Sequence, residues 1–108
     1  MVTVKIKPLS VNECWQGKRF KTKKYLTYEN HLLLMLPKIK IPAAPYELYL
    51  KFGFSSAASD WDNPIKPFVD ILQKKYGFND KLIKRAVVDV EQVKKGEEFV
   101  LFQLKTLP

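Results

Sequence analysis

An amphipathic helix set between strand patterns restricts this chain more than any other feature. Ile65, Phe68, Val69, Leu72 and Tyr76 recur at helical spacing, so one face of the segment must be buried against another layer. Asn63 suits a cap, Pro64 the first helical position and Gly77 the residue after the last turn; the spacing predicts a helix from Pro64 to Tyr76. Pro67, at the fourth helical position, predicts a distorted first turn. Before the helix, Tyr46 to Phe54 is rich in aromatic and aliphatic residues and reads as a central strand. After it, Val87–Val93 and Glu98–Leu104 alternate around Lys94-Lys95-Gly96-Glu97, which predicts a β-hairpin.

The first half is less regular. Val2 to Lys7 alternates apolar and polar residues, which reads as a strand and not as the apolar core of a signal peptide. Pro8, Ser10 and Asn12 favour turns over a continued ladder. No apolar period survives from Gln16 to Lys24, so this segment reads as a basic loop. Thr27 is expected to cap a helix from Tyr28 to Leu36, stopped by Pro37. The order strand, loop, helix, strand, helix, hairpin predicts an α/β or α+β fold. A mixed sheet of about four strands, flanked by two helices, is expected to form one domain over residues 1–108.

A chain of 108 residues, 46% of them hydrophobic, buries roughly two thirds of its unfolded surface and needs no staples. The single cysteine, Cys14, has no internal disulfide partner and no zinc-type spacing around it; it reads as a packing residue in a reducing compartment. The apolar run Leu32–Leu36 is far short of the ~20 residues a membrane span needs, so a soluble, cytoplasmic protein without a membrane partner is expected.

Charge narrows the partner. Nineteen Lys and Arg against eleven Asp and Glu give a net +8, which favours nucleic acid or an anionic surface over a neutral small molecule. Lys18, Arg19, Lys21, Lys23 and Lys24 crowd one segment. They are candidate phosphate contacts, with Trp15, Phe20 or Tyr25 stacking on exposed bases; the alternative is a merely solvated loop.

Within this basic chain Asp60-Trp61-Asp62-Asn63, Lys66 and Asp80 gather hard oxygen ligands and an ammonium. Acidic groups repel a polyanion unless a divalent cation lies between them. At the frayed end of the strand begun at Tyr46, the two-residue period places Asp60 and Asp62 on one face, about 7 Å apart. Mg²⁺ accepts such carboxylates together with phosphate oxygens and waters. The helix is expected to return Asp80 to the same end of the sheet as a third ligand, with Lys66 neutralising charge at a scissile phosphate. The same residues also read as ordinary N-terminal caps. Asp70, four residues after Lys66, reads as helix-face pairing, Asp89 and Glu91 as a solvated strand face, and His31 as structural.

Asp60-Trp61-Asp62-Asn63, Lys66, Asp70, Gly77-Phe78 and Asp80 stand in an order and spacing that resembles the RusA family of Holliday junction resolvases. Pro8, Ser10 and Asn12, then a basic loop leading to Tyr25 and Tyr28, extend the resemblance over most of the chain. The family often has two adjacent acids where this chain has Asn79-Asp80. The resemblance implies that Asp60, Asp62 and Asp80 bind catalytic Mg²⁺ or Mn²⁺ and that Lys66 assists. It implies a homodimer that nicks a DNA four-way junction symmetrically, leaving 5′-phosphate and 3′-hydroxyl ends. Other readings are a non-catalytic nucleic-acid-binding module and a small phage protein whose target is another protein.

Overall fold

The fold is organised on β4 (Tyr46–Phe54), which has a hydrogen-bonded neighbour on each side. The computed structural model describes residues 1–17 and 20–108. In chain order the elements are β1 (Val2–Val4), a 3-10 turn (Val11–Glu13), β2 (Trp15–Gln16), β3 (Phe20–Lys21), α1 (Lys23–Met35), β4, α2 (Ile65–Tyr76), a second 3-10 turn (Asp80–Leu82), β5 (Ile83–Gln92) and β6 (Phe99–Thr106). The fold is α+β: a mixed sheet of order β1-β6-β4-β5 covered by two helices, plus a small β2-β3 ribbon.

Strand β4 places Tyr46, Leu48, Leu50, Phe52 and Phe54 on one buried face. Phe68 of α2 meets Phe52 and Phe102 edge-on, with centroids 5.9 and 6.1 Å apart, which fixes α2 over the middle of the sheet. Tyr25, Tyr28, Glu29 and Leu32 form the buried stripe of α1. The opposite face of the sheet is polar and carries Glu47, Tyr49 and Lys51, paired with Arg85, Asp89 and Glu91.

Several expectations change. Helix α1 starts at Lys23 and is capped by Thr22, whose Oγ1 accepts from Tyr25 N at 3.1 Å; the expected cap at Thr27 and start at Tyr28 are five residues too late. Part of the basic loop is the β2-β3 ribbon. The last two strands form no hairpin with each other: β5 pairs parallel with one edge of β4 and β6 antiparallel with the other. The turn at 94–97 therefore crosses the end of β4, where Val93 N donates to Phe54 O at 2.8 Å. Alternation in sequence identifies a strand but not its neighbour.

Helix α2 begins one residue later than predicted, with Pro64 in the cap position and no side-chain cap bond. Pro67 then falls among the first four residues, whose N–H groups have no intrahelical partner in any helix, so it is accommodated and buried. Gly77 ends the helix at φ 75°, as expected. Among the described residues no helix is long and apolar enough to cross a membrane.

Candidate functional site

Parallel pairing of β4 and β5 decides where the acidic residues fall. Asp60 and Asp62 follow the Phe54 end of β4, in the connection to α2. Helix α2 then carries the chain back to the opposite end, where Ile83 pairs with Tyr46 and Phe78 packs edge-on against the Tyr46 ring at 5.8 Å. Asp80 lies at that end, in the 3-10 turn before β5. The expectation that Asp80 joins Asp60 and Asp62 is thus not met within one chain, because a parallel β-α-β unit needs its crossover to run the full height of the sheet. Among the described residues no three His, Cys, Asp or Glu side chains form a group able to hold a metal ion.

Asp60 and Asp62 are exposed. Asp60 lines a cleft of about 270 Å³ with Lys7, Pro8, Ser10, Glu13, Ser55, Asn63 and Glu98. One wall is fixed by Val11 N, which donates to Asn63 O at 2.8 Å, and Asn63 Nδ2 makes only a long 3.4 Å bond to Asp60 Oδ2. On the other wall Ser55 Oγ donates to Glu98 Oε2 at 2.7 Å and holds that carboxyl below its ordinary pKa. Trp61, between the two aspartates, is 60% exposed, a stacking surface that sequence patterning did not single out.

Lys66 stands on the first turn of α2 and donates to Asp70 Oδ1 at 2.7 Å, which raises the ammonium pKa; the Asp80 charge adds to the effect. Gln73 continues the same face, donating weakly to Asp70 Oδ1 at 3.5 Å and accepting from Asp80 N at 3.1 Å. A polar line Lys66-Asp70-Gln73 therefore leads along α2 to Asp80. Its i, i+4, i+7 spacing was readable in the sequence, and Gln73 was missed because an isolated glutamine carries no charge signal.

Ion pairing divides the acids into two groups. Among the described residues Glu13, Glu29, Glu47, Asp70 and Glu91 each have a Lys or Arg partner, whereas Asp60, Asp62, Asp80, Asp89, Glu97 and Glu98 have none; of these, Asp89 accepts from the Tyr49 hydroxyl and Glu98 from Ser55 Oγ and Gly96 N. In a chain of net +8 the carboxylates of Asp60, Asp62 and Asp80 are left without a cation from the described residues.

The basic segment is only partly available. Lys21 binds Glu29 Oε2 at 3.0 Å and lies over the Tyr25 ring, while Lys24 binds Glu13 Oε1 at 3.2 Å. Lys23 is exposed, and Lys18 and Arg19 lie outside the described residues. Tyr25 is buried against Trp15 and cannot stack on a base, whereas Phe20 is 72% exposed. Burial, then the charges of Glu13 and Asp70, pushes the Cys14 thiol up to about 11, as befits the packing residue expected. His31 is exposed, and Asp89 and Glu91 lie on the solvated face of β5.

Compared with known proteins, the chain matches no family model and no curated protein.

Proposed function

We propose that this chain is a metal-dependent, structure-selective DNA endonuclease of the cytoplasm, acting as a homodimer on four-way junctions in the manner of the RusA family it resembles. What carries the reading is the exposed pair Asp60 and Asp62, without a Lys or Arg partner among the described residues and with Asp60 lining a cleft, in a chain of net +8. Such a charge attracts DNA, and unneutralised carboxylates at the contact would repel it. A divalent ion resolves the conflict.

Asp60 and Asp62 fit such an ion as a pair: both are exposed oxygen donors one residue apart, and neither is held by a lysine or arginine among the described residues. Mg²⁺ is commonly held by one or two carboxylates plus substrate phosphates and waters, so the pair suffices without Asp80. When bound, Mg²⁺ or Mn²⁺ supplies Lewis-acid activation of phosphate and an acidified water. The chain itself positions the DNA: Lys66 presents an ammonium on the first turn of α2, Lys23 offers a phosphate contact, and Trp61 and Phe20 offer flat surfaces to unstacked bases. Asp80, at the far end of the polar line, is a site residue whose carboxylate is not shared with the pair in one subunit.

A synthetic four-way junction incubated with the protein and Mg²⁺ or Mn²⁺ should yield paired symmetric nicks. Asp60→Asn and Asp62→Asn should each abolish cleavage yet bind the junction as tightly as, or more tightly than, wild type. An intact junction with both ions, together with salt-sensitive binding unchanged by either substitution, would establish instead a non-catalytic nucleic-acid-binding module.

A further inference from the structure

We propose that β5 is an interface strand, pairing antiparallel with β5 of a second copy of this chain about a two-fold axis at Val87. The inference deepens the homodimer of the preceding reading by naming the surface through which it forms. Strand β5 is ten residues long and occupies one edge of the sheet, and among the described strands its only neighbour is β4. The other sheet edge, β1, has three residues and offers little to pair with.

Long free edges are normally blunted by proline, bulges, lysine or brevity. Here the register shifts between Tyr46 and Glu47, leaving Lys84 as an extra residue, so only the start of β5 is protected. From Arg85 to Gln92 the ladder is regular, lacks proline, and leaves Ala86, Val87 and Val90 exposed. Val87 and Val90 retain 43% and 45% of their surface.

The side chains are self-complementary. The first half of the strand is basic, with Lys84 and Arg85, and the second half acidic, with Asp89 and Glu91. Antiparallel pairing reverses one copy, so each basic half meets an acidic one. An axis at Val87 sets Val87 against its own copy, Ala86 opposite Val88, and Arg85 opposite Asp89, each pair occurring twice. An axis at Asp89 stacks like charges, and one at Val88 sets Val87 opposite Asp89. In an antiparallel ladder partners point to the same side, so an axis through a residue keeps both helical layers on one face. The two four-stranded sheets then become one.

The test uses the full chain, without DNA or metal, so it does not depend on nuclease activity. Sedimentation equilibrium should show a dimer for wild type and a monomer for Val87→Lys, with the far-UV spectrum of the two unchanged. A second variant reads the geometry directly and separates loss of the interface from loss of fold in Val87→Lys. Val87→Cys should cross-link to itself on mild oxidation, since facing residues at the axis bring their Cβ atoms to roughly 4.5–5.5 Å. Cys14 is buried and gives a low background. A monomeric wild type overturns the proposal, as does a dimer that persists in Val87→Lys and leaves Val87→Cys uncrosslinked. A β5 dimer that cuts no junction would leave this proposal standing while removing the nuclease reading.

Discussion

Lys66 donates to Asp70 Oδ1 at 2.7 Å across one turn of α2, and this pair governs the charge available on the helix face that leads to Asp80. Both ends of the pair are accessible, the lysine more so, at 65% side-chain exposure against 32%. A surface i, i+4 pair adds little stability, about 0.3–0.5 kcal/mol, so its removal tests function and not folding. Lys66→Ala should slow junction cleavage by on the order of 100-fold if its ammonium stabilises charge developing on phosphate. Asp70→Asn keeps the ammonium and should slow cleavage much less, while the Lys66 Nζ titration seen by NMR moves down toward 10.5. Equal losses in both variants would assign the effect to the ion pair and not to the lysine.

The start of α2 separates capping from metal binding. No side chain caps this helix, and Asn63 reaches only Asp60 through a 3.4 Å bond. Asn63→Ala should therefore lower stability by less than about 0.5 kcal/mol, below the ~1 kcal/mol of a working cap. Thr22→Ala supplies the contrast, because Thr22 Oγ1 both accepts from Tyr25 N and donates to Glu13 O at 2.6 Å. It should cost about 1 kcal/mol or more in urea denaturation. Comparable costs at the two positions would restore the capping role first read at Asn63.

These results show which parts of the fold sequence patterning could reach. The apolar stripe Ile65, Phe68, Val69, Leu72 and the glycine at 77 identified α2 nearly to the residue, since helix periodicity and a left-handed terminus are local properties. Tyr25, Tyr28, Glu29 and Leu32 carried the same periodicity for α1, but a glutamate on the buried side and a cluster of lysines masked it. The β5 and β6 pattern was legible as two strands, yet β4 separates them, because pairing is settled by contacts far apart in sequence. That same topology moved Asp80 away from Asp60 and Asp62.

Glu29 shows how tertiary packing converts an apparent surface acid into a structural one. Burial raises its carboxyl pKa, but hydrogen bonds from Lys21 at 3.0 Å and Lys74 at 3.1 Å outweigh that and hold it below 4.5. A value depressed in the folded state means that the unfolded chain holds the proton more tightly. Its stabilisation is complete above the ordinary carboxylate range and is lost as pH falls through the folded value. Glu29→Gln should cost about 1–2 kcal/mol at neutral pH, discounted for the exposure of the two lysines, and should flatten the acid limb of the stability profile. It should also release Lys21 and steepen the salt dependence of DNA binding. Wild type and Glu29→Gln losing stability in parallel on acidification would place the acid sensitivity elsewhere.

Gly53 faces Phe99 across the β4-β6 ladder, and the Phe99 ring covers the position that a side chain at 53 would need. A Cβ there would press on ring carbons Cδ1 and Cε1, in the middle of a packed aromatic side chain. Gly53→Ala should therefore destabilise the protein by about 1–3 kcal/mol, the usual cost of overfilling a packed site. Phe99→Ala removes the covering ring, so the Gly53→Ala/Phe99→Ala double variant should lose less stability than the two single losses added together. A double-mutant cycle in urea measures this coupling directly. Strict additivity would mean that Phe99 yields at no cost and that the glycine is dispensable at position 53.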